Sequence, residues 1–90
     1  MFSVNAVVED EIGLHARPAN LFVRSAKKFE SDISVQRMGN SASYNAKSIL
    51  SVLQMAAVKG TNIIITASGC DEVEACLELK KVLESETISV

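Results

Sequence analysis

Histidine and proline each occur once in this chain, tryptophan is absent, and the aromatics amount to one tyrosine and three phenylalanines. So few flat rings cannot supply the stacking platforms on which nucleic-acid binders lay bases. A net charge of −2 also denies the chain the basic face that usually accompanies that function. Long apolar runs are missing, and none approaches the roughly 20 residues that a membrane-crossing helix needs. The N-terminus has no basic stretch followed by an apolar block, so no signal peptide is expected and the cytoplasm is the expected location. Cys70 and Cys76 lack the short spacing of zinc or redox pairs. On one helix they would stand about 600° apart and point in different directions, so both read as small buried or half-buried hydrophobes. Internal repeats, low-complexity segments and linkers are absent too, and neither a metal site nor a cofactor is expected.

What is present suffices for one domain spanning residues 1–90. The 48% hydrophobic content supports a compact core and argues against disorder. The length leaves no room for a separate catalytic domain. Phe2, Val4, Ala6 and Val8 alternate with their neighbours as a half-buried strand does. Residues 9–13 read as a loop. From residue 16 to about residue 29, Ala19, Phe22, Val23, Ala26 and Phe29 keep helical spacing. Asn20, Arg24, Lys27 and Lys28 fall on the outer face, and the two lysines suit the negative end of the helix. Ile33 and Val35 mark a second strand, Gly39 and Asn40 a turn, and a short third strand is expected within residues 41–44. Ser48 stands at the N-cap of a short helix carrying Ile49, Leu50, Val52, Leu53 and Met55. Lys59 and Gly60 form a turn before an isoleucine-rich strand over residues 61–67. A final helix over residues 71–84 is expected to turn Val73, Cys76, Leu77 and Leu83 inward. The order is βαββαβα, which predicts an α+β open-faced sandwich with helices covering one face of an antiparallel sheet.

The richest segment for chemistry is Gly13-Leu14-His15-Ala16-Arg17-Pro18-Ala19. Proline is favoured at the first position of a helix, where its missing N–H would be unpaired in any case. Pro18 therefore marks a helix start, with His15 just outside it and Arg17 at its mouth. Free N–H groups and the positive end of the helix dipole make such a place receptive to anions. An imidazole with an unperturbed pKa near 6.5 is largely neutral, and so nucleophilic, at neutral pH. The arginine fork can hold two phosphate oxygens at once. Together these suggest a histidine that carries phosphate. The residues alone leave open that His15 is an exposed loop histidine and Arg17 a solvated helix residue. They also allow Ser48 to be no more than a cap, and Ile49, Leu50 and Leu53 to be core.

The same segment resembles the active site of HPr proteins, the histidine phosphocarriers of the bacterial sugar phosphotransferase system. Asn45-Ala46-Lys47-Ser48-Ile49-Leu50 resembles that family's regulatory serine segment. The resemblance implies a four-stranded antiparallel sheet with three helices on one side. It implies that His15 is phosphorylated on Nδ1, with Arg17 and the amides of Ala16 and Arg17 contacting the phosphate beside Pro18. Enzyme I would be the donor and the IIA domains of sugar permeases the acceptors. The chain would thus be a phosphoryl-transfer intermediate rather than a turnover enzyme. Ser48 would be the target of an ATP-dependent HPr kinase. Asn20, Arg24, Lys27, Ile49, Leu50 and Leu53 would form the docking face. A monomer suits a shuttle that offers one face to several partners. Two alternatives share the pattern: a regulatory protein whose phosphoserine form engages a catabolite-control transcription factor, and a nitrogen-regulatory phosphotransfer branch. Asn20 and Leu21 stand where the family usually has small or polar residues. The connection through residues 41–45 is about two residues longer than is usual, and the tail over residues 85–90 is unassigned.

Overall fold

Alternating side chains fix the sheet. Ala6 in the first strand, Ile33 and Val35 in the second, and Ile63, Ile65 and Ala67 in the last are buried, while the residues between them are half-buried or exposed. This is the period-two pattern of a sheet with one covered face. A computed structural model of the chain describes residues 1–9 and 16–84, with Ala16 described in its backbone alone; segments 10–15 and 85–90, including His15 and the unassigned tail, lie outside the described residues. The elements are β1 (Phe2–Val7), α1 (Ala16–Ala26), β2 (Asp32–Arg37), β3 (Tyr44–Asn45), α2 (Ile49–Gln54), β4 (Asn62–Ser68) and α3 (Glu72–Glu84). The strands form one antiparallel sheet in the order β1-β4-β2-β3. Three helices cover one of its faces, which is the expected open-faced sandwich.

Register aligns the core in rows. Val4, Ile65, Val35 and Tyr44 lie opposite one another across the four strands, and Ile33 faces Ala67. Phe22, Met55, Leu79, Val8 and Val52 close over this face as the largest fully buried side chains around Ile63 and Ile65. The opposite face carries the row Ser3, Thr66, Ser34 and Asn45, with the Ser3 and Thr66 hydroxyls 3.0 Å apart. β1 is an edge strand, and α3 covers its exposed polar groups. Lys80 Nζ donates to the Asn5 carbonyl at 3.1 Å, and the Val7 N–H donates to Glu84 Oε2 at 3.2 Å. Lys80 and Glu84 pair with each other at 2.8 Å. An edge occupied in this way offers little to a foreign strand. None of the described helices is long and apolar enough to cross a membrane.

Several expectations are corrected in detail. α1 ends at Ala26, three residues early, because the chain tightens there: Lys28 N–H bonds the Ser25 carbonyl and Phe29 N–H the Ala26 carbonyl. Lys27 and Lys28 thus follow the helix, and Arg24 is the cation of its last turn. β3 lies later than residues 41–44, because the Asn40 side chain accepts the Ala42 N–H at 2.9 Å and holds that stretch in a turn. In α3, Val73 and Leu77 are exposed, and the inward face consists of Ala75, Cys76, Leu79 and Leu83. Cys70 is exposed because it sits in the turn ahead of α3, whereas Cys76 is buried and burial pushes its thiol pKa up.

The loops closing α1 and opening α3 are tied by one carboxylate. Asp71 accepts the N–H groups of Glu30 at 2.9 Å and Ser31 at 3.0 Å, and also the Ser31 hydroxyl. Ser31 is buried, so its two bonds satisfy donors that have little access to water. Gly69 allows the approach. Its φ is +156°, and a Cβ there would lie 2.6 Å from Ser31 Oγ and 2.7 Å from Ser31 Cα. The hydroxyl of Ser31, followed by the amides, holds the Asp71 carboxyl below its ordinary value of 3.8. A carboxylate favoured in the folded state stabilises above its unfolded pKa and loses that contribution as pH falls through the lowered value. Asp71→Asn is therefore expected to lower the melting temperature at pH 7. The gap to the parent should stay constant down to about pH 5 and narrow below about pH 4, as thermal melts across a pH series would record.

Candidate functional site

α1 begins at Ala16, so Pro18 is its third residue rather than its first. The chemistry of the mouth survives this shift. First-turn N–H groups have no intrahelical acceptor, and proline is tolerated anywhere in that turn because it gives up only a donor that would be free. Ala16 and Arg17 provide the leading amides, and no acidic residue occupies the first turn. Arg17 is exposed, so its guanidinium is open to an approaching anion. Pro18 is half-buried within the first turn. His15, the residue before Ala16 in the chain, lies outside the described residues.

The outer face of α1 follows from the stripe beneath it. Ala19, Phe22, Val23 and Ala26 are buried, which turns Arg17, Asn20, Leu21 and Arg24 outward, and Lys27 continues the exposed side. Leu21 is 44% exposed, too much for a core residue of its size, and it joins the docking candidates as an apolar member.

α2 packs against α1 and has only six residues. Ser48 is its N-cap, in extended conformation with φ −116° and ψ 119°, and its Oγ accepts the Ser51 N–H at 3.3 Å. Within the helix Val52 is buried and Met55 closes it from below, so the rest of the apolar set has nowhere to go. Leu50 is 68% exposed, with Ile49 and Leu53 exposed beside it. Alanine occupies the left-handed position that terminates the helix: Ala56 has φ 53°, where glycine is the usual choice.

Charge separates this layer from the rest of the molecule. Segments 16–29 and 44–60 contain Arg17, Arg24, Lys27, Lys28, Lys47 and Lys59 and not one carboxylate, although the chain as a whole is acidic. The segments that carry α1 and α2 thus combine exposed apolar side chains with positive charge, a pattern suited to an acidic partner. Lys47, which the sequence offered only as a neighbour of Ser48, has its ammonium 2.7 Å from the Phe29 carbonyl. Among the described residues no group of three or more His, Cys, Asp or Glu side chains is placed to hold a metal ion. An open hollow of about 500 Å³ lined by Asp32, Ser34, Tyr44, Asn45, Lys47 and Thr66 includes none of the residues expected to act.

Comparison with known proteins agrees with this geometry. The family described as "PTS HPr component phosphorylation site" matches residues 2–85. The chain is similar to the phosphocarrier protein HPr of Mycoplasma capricolum, with 39% identity over 83 residues, covering 92% of this chain and 91% of that one. Its fold is similar to the crystal structure of a phosphocarrier protein HPr from Bacillus anthracis, at TM-score 0.85 and 36% identity over 92% of this chain and 96% of the other. It is also similar to that of the catabolite repression protein Crh of Bacillus subtilis, at TM-score 0.74 and 36% identity over 99% and 100%.

The ends of α2 respond to substitution in opposite directions. Ser48→Ala removes the cap and is expected to cost about 1 kcal/mol, while Ser48→Asp retains it. Ala56→Gly relieves the left-handed alanine and is expected to gain about 0.5–1 kcal/mol. Urea denaturation of the three variants beside the parent measures both.

Proposed function

The chain belongs to the HPr family, the phosphocarriers of the phosphotransferase system, and from that membership we propose that His15 is the residue that carries the phosphoryl group. In this reading residues 1–90 act as one domain in the cytoplasm, take phosphate from enzyme I and hand it to IIA domains of sugar permeases. The observation that carries the proposal is the mouth of α1, where leading amides and the exposed Arg17 guanidinium follow directly on His15 in the chain. A neutral imidazole nitrogen donates its lone pair to phosphorus while the bond from phosphorus to the donor breaks. A helix start favours the phosphate oxygens once the group is carried. Delivery to the acceptor reverses the step, and the histidine is regenerated. Phosphoryl transfer asks chiefly for positioning and charge stabilisation, which a small surface supplies without a cleft.

Docking falls to Asn20, Arg24, Lys27, Ile49, Leu50 and Leu53, with Leu21 added. Their exposure and the absence of carboxylates from segments 16–29 and 44–60 support a contact face for acidic partners. Ser48 supports a second, compatible reading. A phosphate there would keep an anion at a helix start, where the fold tolerates it, and place that charge inside the docking face. Similarity to a catabolite repression protein favours such control by an HPr kinase, with a transcription factor as the reader.

Incubation with phosphoenolpyruvate and enzyme I should add one acid-labile phosphate, read as an intact mass. His15→Ala should abolish it, and a variant that keeps the label refutes the assignment. Arg17→Ala should still accept phosphate but roughly 10- to 100-fold more slowly, the loss of a charge-assisted contact. ATP with HPr kinase should give an acid-stable phosphate that disappears in Ser48→Ala.

A further inference from the structure

Resting on the reading that α1 and α2 together form the docking face, we propose that Lys47 is a positioning residue that sets the spacing between those two helices. Its ammonium donates to the Phe29 carbonyl at 2.7 Å, in the stretch that ends α1. Its own backbone is fixed from the other side. Lys47 N–H donates to Asn45 Oδ1 at 2.9 Å, Ser48 N–H to the Asn45 carbonyl at 3.1 Å, and Ala46 N–H to the Ile33 carbonyl at 3.0 Å. Ala46 is fully buried, so this approach to α2 is anchored in β2 and the core. The stretch that receives Lys47 is anchored as well, since the next two amides, of Glu30 and Ser31, end on the Asp71 carboxylate. Residues 29–31 are therefore held between a cation on their carbonyl side and an anion on their amide side.

The consequence follows from where the two helices are otherwise joined. α2 has six residues and buries only Val52 within its length, so packing alone constrains its placement weakly. Its exposed leucines must lie at a set distance from Arg24 and Lys27 for one partner surface to meet both. The Lys47 bond is a half-buried, charge-assisted link between the loop that follows α1 and the approach to α2, where small displacements translate into misplacement of the whole face. Lys47 thus acts through α1 and α2 without touching the phosphate.

The test compares Lys47→Met, which keeps the aliphatic stem, with Lys47→Gln as a milder second variant and Lys47→Arg, which retains a donor. For transfer from enzyme I, Lys47→Met should raise KM about tenfold, the loss of one charge-assisted bond, with kcat unchanged and the slope of log KM against log salt as in the parent. Lys47→Arg should recover most of the affinity. In the free protein, amide resonances of both Asn20 to Lys27 and Ile49 to Leu53 should shift in Lys47→Met and Lys47→Gln. An unchanged KM overturns the proposal. So does a reduced salt slope with resonance changes confined to the neighbourhood of residues 29 and 47, which would make Lys47 a direct contact of the partner. Failure of the parent itself to accept phosphate would refute the carrier reading, and the free-protein resonances would still decide the role of Lys47.

Discussion

The carboxylate of Asp71 is the constraint from which the functional layer takes its position. It stands just ahead of α3, yet its oxygens are used on the loop that closes α1. Two elements far apart in the chain are thereby fixed at one point, with Gly69 giving up a side chain so that Ser31 can fit. Because α1 leads from that loop back to the Arg17 mouth, the clamp fixes the far end of the helix on which the proposed chemistry depends. Replacing the carboxylate leaves buried donors on Ser31 unsatisfied, a heavier loss than that of a surface ion pair.

The sheet divides labour with the helices. One face packs the core, and the other carries a row of hydroxyls and amides with no described element laid over it. Its β1 edge is occupied by Lys80 and Glu84 of α3. The proposed functional residues thus fall on the ends and outer sides of α1 and α2, which are carried by this sheet. Exposed leucines occur there because α2 is too short to bury them.

How much of this could be read from residues alone depended on local redundancy. α1 announced itself through a single unambiguous stripe, and Ser48 through the coincidence of a capping residue with the start of an apolar run. The family was legible because two motifs stood at about the family's separation in a chain of the family's size. α3 was misread because it is apolar on two sides. At about 100° per residue, Val73 and Leu77 lie about 60° and 100° to one side of Cys76, while Leu79 and Ala75 lie by the same angles on the other. Larger side chains drew the reading to the wrong side, whereas close packing against β1 and β4 selected the side with the small alanine. Cys70 was misplaced for a related reason, since a turn residue has no periodicity to betray its exposure. The Asp71 clamp and the Lys47 bond join positions 40 and 18 residues apart. No local pattern encodes such pairs, so they emerged only with the fold.

Charge distribution links the proposed chemistry to its control. All eleven carboxylates of the chain lie outside segments 16–29 and 44–60, so a net charge of −2 conceals a cationic working layer. Such a layer would favour encounter with acidic partners, and its own two segments bring no negative side chain to the proposed phosphoryl site. It also makes the layer sensitive to one added anion. A phosphate on Ser48 carries about −1.5 to −2 charges at neutral pH. In segments with no carboxylate of their own, that single group would offset up to two of their six positive charges, beside the exposed Leu50. A cap position at a helix start is where such a group can be added without disturbing the core, since the helix dipole favours it there. The property that makes Ser48 a good cap therefore also makes it a suitable place to lower the positive charge of the proposed docking face while leaving the fold in place.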